Sequence, residues 1–248
     1  MTDASLSANR FAQGEFRVGQ VLSRTFSVLS RNLLPFCVVT AVAYLPNLLI
    51  PGEQSPGTSP GRRLGLVLVT VIVSIVLNAL SEAIVLFGAF EDMRGRPVNL
   101  MESFKVGLAR FFPVVGVALL VGILTGFAAI LLIFPAFIVL TMLFVAMPVC
   151  IVERLGPVKS LGRSANLTKG YRWRIFGLWL LVILVTLIGT ALIGAISYLT
   201  GAVIGAVLKL IWGALAGAFN AIMVVVSYHD LRVAKEGVDT DKIASVFD

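Results

Sequence analysis

Two ionisable residues of this chain stand inside long apolar runs, Glu82 and Lys209. Such a group costs several kcal/mol to place in lipid, so each is a functional candidate by default. Asn78 and Ser81 lie within four residues of Glu82. If the run is helical, a carboxyl, an amide and a hydroxyl then share about one turn. That set can hold a proton or small cation, or it can hydrogen-bond a neighbouring helix. Lys209 lies nearer the start of its own run, ~16 Å from Glu82 in depth at ~1.5 Å per residue. No ion pair between them is expected, and Lys209 can reach head groups beside Trp212. Asn47 and Asn220, the other amides in apolar runs, read as too scattered to define a path.

A second candidate is basic and aromatic. Arg163 precedes a cluster in which Lys169, Arg172 and Arg174 alternate with Tyr171 and Trp173, just before an apolar run. Guanidinium forks hydrogen-bond phosphates. Tyrosine and tryptophan hold a segment at head-group depth. These six residues are the expected contact for anionic membrane lipid or for a protein partner. The alternative is that the charges only set topology.

Little else could do chemistry. The one histidine, His229, sits at a helix end beside Asp230 and reads as a solvated residue. There is no HExxH, no GxSxG and no phosphate loop. Cys37 and Cys150 have no metal spacing and read as small buried hydrophobes. No catalytic, cofactor-binding or metal-binding residue is expected, and no cofactor. Nucleic acid is not an expected partner, because no soluble basic face is visible.

The elements that must position these residues are membrane helices. The chain of 248 residues is 58% hydrophobic and 13% charged, against about 25% charged in soluble domains. Mean hydropathy is +0.98. The run from Phe111 to Val152 has no Asp, Glu, Lys, Arg or His over about 42 residues. As one helix it would be ~63 Å long, twice a ~30 Å bilayer core. A hairpin turning near Pro135 solves this, with crossings over about 112–132 and 136–152. Further crossings are expected over about 33–50, 64–90, 175–200 and 202–228. The expected fold is therefore all-α: a polytopic integral membrane bundle of six transmembrane helices in one domain. Gly122 with Gly126, Gly201 with Gly205, and Gly213 with Gly217 are spacings that permit close helix contact within it.

Residues 1–13 read as a disordered tail, with no signal peptide, and residues 229–248 as a soluble tail. Residues 14–32 hold an amphipathic helix. Val18, Val21, Leu22, Thr25, Phe26 and Leu29 share one face and Arg17, Arg24 and Arg31 the other, as in an interfacial helix. A second short helix after Pro97 places Leu100, Met101, Phe104, Leu108 and Phe111 on one face. A third after Pro157 carries a thin stripe of Val158, Leu161 and Ala165. A short helix thus precedes a hairpin three times, at roughly 70–80 residues, which reads as a three-fold repeat. With the N-terminus inside, seventeen basic residues fall on inner segments and only Arg62 and Arg63 outside. This asymmetry predicts both termini in the cytosol.

The run PVCIVERLGPVKSLGRSANLTKGYRWRIF and the later YHDLRVAKEGVD carry a resemblance. Through Pro148, Glu153, Arg163, Ser164, Leu167, Thr168, Gly170 and Trp173, then Tyr228, Leu231, Arg232, Glu236 and Gly237, the chain resembles the membrane domain of bacterial glycerophosphoryl diester phosphodiesterases. Some members of that family add a soluble catalytic domain. Its histidines and acidic metal ligands are missing here, so the resemblance implies a bacterial inner-membrane protein but no phosphodiesterase activity. The expected role is non-enzymatic binding of lipid or a partner at a basic cytosolic face. A small-solute permease using Asn78, Ser81 and Glu82 is the alternative.

Overall fold

A computed structural model describes residues 16–46, 59–131 and 133–236. Those residues form ten α-helices and no strand: α1 Val18–Arg31, α2 Leu33–Tyr44, α3 Pro60–Met93, α4 Leu100–Ala109, α5 Phe111–Leu131, α6 Ile133–Leu143, α7 Ala146–Val152, α8 Pro157–Thr168, α9 Arg172–Thr200 and α10 Ala202–Glu236. Five stretches are long and apolar enough to cross a membrane: Leu64–Met93, Phe111–Ile130, Pro135–Val152, Arg172–Thr200 and Val203–Glu236. The chain has the make-up of a multi-pass helical membrane protein. The pair α1 and α2 passes the same test only jointly and bends by 92° at Asn32. The 12 residues of α2 reach ~18 Å. The expected tail over 1–13, the outer part of the first crossing and residues 237–248 lie outside the described residues.

The interior of the bundle is where α3, α7 and α10 meet one another. Around them, α2 packs on α3 and α10, α5 on α3 and α7, and α9 on α10 and α6. The three short helices follow suit: α1 packs on α10, α4 on α3 and α8 on α7. Each short helix thus touches the helix that closes the preceding hairpin, taken cyclically. Outward faces are apolar, as lipid requires; Ile72, Ile123, Leu184 and Ile188 are all exposed.

Several expectations are corrected. The crossing over 136–152 is one span by length but not one helix, because α6 ends at Leu143 and α7 begins at Ala146. Pro148 explains the break. A proline has no N–H and its ring clashes with the carbonyl four residues earlier, here that of Phe144. The neighbouring backbone groups take partners from α8: Ser164 Oγ accepts from the Val145 N–H (3.3 Å) and donates to the Met142 carbonyl (2.9 Å). Thr168 Oγ1 also donates to that carbonyl (3.2 Å).

The inward faces of the short helices also differ. In α4 the buried residues are Ser103 and Gly107, while Met101, Phe104 and Leu108 are exposed. A Cβ at Gly107 would lie 3.1 Å from the Ile84 side chain, so the small face is what lets α4 sit on α3. In α8, Ser160, Ser164, Leu167 and Thr168 are buried and Val158 is exposed. The apolar stripe of α4 therefore points away from the bundle, while that of α8 is split, with Val158 outside and Leu161 packed against the core. Finally, α10 does not stop at Tyr228. It runs on through His229 and Asp230 to Glu236, so residues 229–236 belong to the packed structure rather than to a tail. Gly201, at φ 90°, makes the one-residue turn between α9 and α10 in a conformation that favours glycine.

Candidate functional site

The acidic residues closing the three inner helices organise the basic end of the bundle. Asp92, near the end of α3, accepts from Arg31 (2.6 Å) and from Asn32 (2.8 Å). Asp230 on α10 accepts from Arg24 of α1 (2.5 Å). Glu153, after α7, accepts twice from Arg163 Nε of α8 (3.2 and 3.0 Å) and once from the Tyr228 hydroxyl (3.0 Å). Arg163 also donates to Glu236, which takes Arg232 Nε at 3.0 Å. Burial works against the charge of Arg163. The hydrogen bonds to Glu153 and Glu236 outweigh it and raise its pKa above the ordinary arginine value. Glu236, beyond the apolar part of α10, is pushed up by burial. The bonds from Arg163 and Arg232 prevail and hold it below the ordinary carboxylate value.

This arrangement divides the six basic and aromatic candidates. Arg163 is committed to Glu153 and Glu236. Arg174 Nη1 donates to the Phe16 carbonyl (2.8 Å) and its guanidinium sits 5.9 Å from the Tyr171 ring centroid. Tyr171 in turn packs against Phe16, with centroids 6.0 Å apart. Arg163, Tyr171 and Arg174 thus hold partners within the chain, although Arg174 is also exposed. Salt-bridge geometry between distant segments has no local signature, so spacing alone could not separate them.

Lys169, Arg172 and Trp173 remain. Lys169 is exposed, and Trp173 is 77% exposed. Arg172 and Trp173 edge a groove of about 360 Å³ between α6 and α9, whose other walls are Phe137, Ile138, Thr141 and Phe176. The Thr141 hydroxyl is used by the Ile138 carbonyl at 2.9 Å. Arg172 Nε is buried and has no hydrogen-bond partner among the described residues. An apolar groove edged by a guanidinium group suits an acyl chain joined to an anionic head group.

The second candidate gains residues. Asn78, Ser81 and Glu82 line a cavity of about 230 Å³ between α2, α3, α9 and α10. Asn220 joins them there, with Thr40 and Tyr44; it had read as unrelated because α10 brings it in from a distant run. The Ser81 hydroxyl is buried without a partner among the described residues. Among the described residues no lysine, arginine or histidine lines the cavity. Gly213 and Gly217 let the Tyr44 ring approach, since a Cβ at either would lie 3.0 or 3.2 Å from it. That glycine pair therefore serves contact within the chain.

No protein-family model, curated protein or solved structure matches this chain. Among the described residues no cluster of histidine, cysteine and carboxylate side chains could hold a metal ion.

Proposed function

We propose that this chain is a non-enzymatic protein of the bacterial inner membrane that binds anionic phospholipid in the groove between α6 and α9. The carrying observation is an apolar groove edged by Arg172, whose Nε has no hydrogen-bond partner among the described residues. A phosphate would pair with that guanidinium, Lys169 would add attraction, and Trp173 would rest at head-group depth. Six crossings, cytosolic termini and three copies of a short helix with a hairpin belong to the same proposal. The cyclic packing of α1, α4 and α8 supports the repeat. Kinship with the membrane domain of glycerophosphoryl diester phosphodiesterases is proposed on the residues of the resemblance. Glu153, Arg163, Tyr228, Arg232 and Glu236, five of them, share one hydrogen-bonded network.

Native mass spectrometry of the protein with its lipids retained tests the groove. At ~1 kcal/mol per basic residue near an anionic surface, Arg172→Gln should lower anionic-lipid occupancy about 5-fold. Arg174→Gln should leave occupancy unchanged, since that guanidinium holds Phe16 instead. Equal occupancy in wild type and Arg172→Gln would sink the lipid reading.

One observation favours a second reading, a permease component. Glu82 shares its cavity with six uncharged polar side chains and, among the described residues, no cation, and an unpaired carboxylate held away from water is costly. A proton or monovalent cation would remove that cost. Dicyclohexylcarbodiimide, an apolar carboxyl reagent, is expected to label Glu82 in membranes and to spare Glu82→Gln. Sodium, potassium or tetramethylammonium should slow the labelling. Labelling at an unchanged rate in all three would count against a cation site.

A further inference from the structure

Four arginines read from sequence only as topology markers gather in one place. Arg94, Arg96, Arg110 and Arg154 line a cavity of about 520 Å³ at the basic end, together with Glu91 and Glu102. They come from the end of α3, the loop after it, the α4–α5 junction and the turn after α7. No local sequence pattern predicts that meeting.

The charges do not balance. Glu91 accepts from both Arg94 (3.4 Å) and Arg96 (3.1 Å), so one carboxylate serves two guanidinium groups. Glu102 is exposed in the first turn of α4. Arg110 donates to the Arg154 carbonyl at 3.4 Å, a long bond. Neither Arg110 nor Arg154 has a carboxylate partner among the described residues. Four guanidinium groups against two carboxylates leave a formal charge of about +2, with like charges close enough to repel.

The backbone adds a second, independent sign. Arg154 has φ 56° and is the one non-glycine residue with positive φ among the described residues. That conformation favours glycine and costs an arginine on the order of 1 kcal/mol. Strain of this kind, at the wall of a charged cavity, points to function rather than to folding.

We propose that this cavity binds a phosphate monoester. A monoester near its full charge of about −2 matches the excess, whereas a diester carries only −1. Guanidinium forks present paired donors to phosphate oxygens. The volume exceeds what a phosphate group fills, leaving room for an organic substituent. The chemistry is shared by a soluble phosphorylated compound and by the head group of phosphatidic acid. This site is separate from the groove at Arg172.

The test uses the full chain in phosphatidylcholine nanodiscs with radiolabelled inorganic phosphate as the probe. Saturable binding above empty discs is expected. Arg110→Gln should weaken it at least about 10-fold, as expected for a lost charged hydrogen bond. Arg154→Gly is the decisive variant, because glycine suits the backbone there. It should weaken phosphate binding to a similar extent while leaving thermal stability equal or higher. Arg62→Gln, remote from the cavity, should bind as wild type does. Displacement of phosphate by phosphatidic acid in the discs would identify a lipid ligand, and no displacement a soluble one; both support the site. Absence of saturable binding, or wild-type affinity in a folded Arg154→Gly, would overturn it.

Discussion

Gly189→Val is expected to remove most of the folded protein recovered after purification. Gly189 lies on α9 against Trp212 of α10, and a Cβ there would come within 2.1 Å of the indole ring. Two further ring atoms would lie at 2.5 and 2.6 Å. The ring is rigid and is held from the same helix as Gly189, since Trp212 Nε1 donates to Thr190 Oγ1 at 3.2 Å. It cannot retreat without losing that bond and the contact between two long apolar helices. Overpacking typically costs ~1–3 kcal/mol, and here the top of that range is expected. Gly194→Val is the control, because nothing lies within 4 Å of a Cβ at that position of the same helix. Monodisperse yield by size-exclusion chromatography reads the effect. Trp212→Ala should recover part of the loss in the double variant. Wild-type yield from Gly189→Val would show that the indole does not anchor α9 to α10.

The same two helices show what sequence could and could not reveal. Hydropathy marked the apolar part of each long helix, because lipid permits few alternatives to a helix of sufficient length. Length also forced the hairpin between Phe111 and Val152. Boundaries set by polar residues were less visible. The continuation of α10 past Tyr228 depends on Asp230 meeting Arg24 and on Glu236 meeting Arg163 and Arg232. Two of those partners, Arg24 and Arg163, lie far away in the chain. The break before Pro148 was visible in principle, since a mid-helix proline frees a carbonyl. Its tolerance depends on hydroxyls supplied by α8. The inward faces of α4 and α8 were misleading for a related reason. In water an apolar stripe marks the core, but beside lipid it marks the outside, and small or hydroxyl-bearing residues do the packing.

The candidate site was legible in part. Asn78, Ser81 and Glu82 belong to one turn of one helix, so spacing placed them together correctly. Asn220 needed the tertiary structure. The basic cluster stood out by composition, yet side chains two residues apart have different surroundings. Arg172 edges a groove while Arg174 holds Phe16. Charge density alone cannot distinguish an arginine at the edge of a groove from one already bound to a backbone carbonyl.

Glu153 offers the clearest measure of how much such internal pairs contribute. It joins α7 to α8 through Arg163 and to α10 through Tyr228. Its side chain is 16% exposed and that of Arg163 31% exposed, while Tyr228 is fully buried. Glu153→Ala would leave the partly exposed Arg163 with Glu236 alone and a buried hydroxyl with only the long 3.5 Å bond from Arg232. Breaking a buried pair costs about 3–5 kcal/mol when the remaining charge has no partner, and the retained Glu236 and the partial exposure of Arg163 reduce that. A loss of about 2 kcal/mol is therefore expected, read as a lowered unfolding midpoint in detergent. Glu153→Gln keeps the acceptor oxygen and should lose less. Tyr228→Phe removes one neutral donor and should cost about 1 kcal/mol. Acid should act through the other carboxylate of the network. Glu236 is held below the ordinary carboxylate value, so its contribution is full above that value and disappears as pH falls through the lowered one. Glu236→Gln should accordingly flatten the acid limb of wild-type stability. If Glu153→Ala unfolds at the wild-type midpoint, the network does not fasten α7 and α8 to α10, and their contact rests on apolar packing alone.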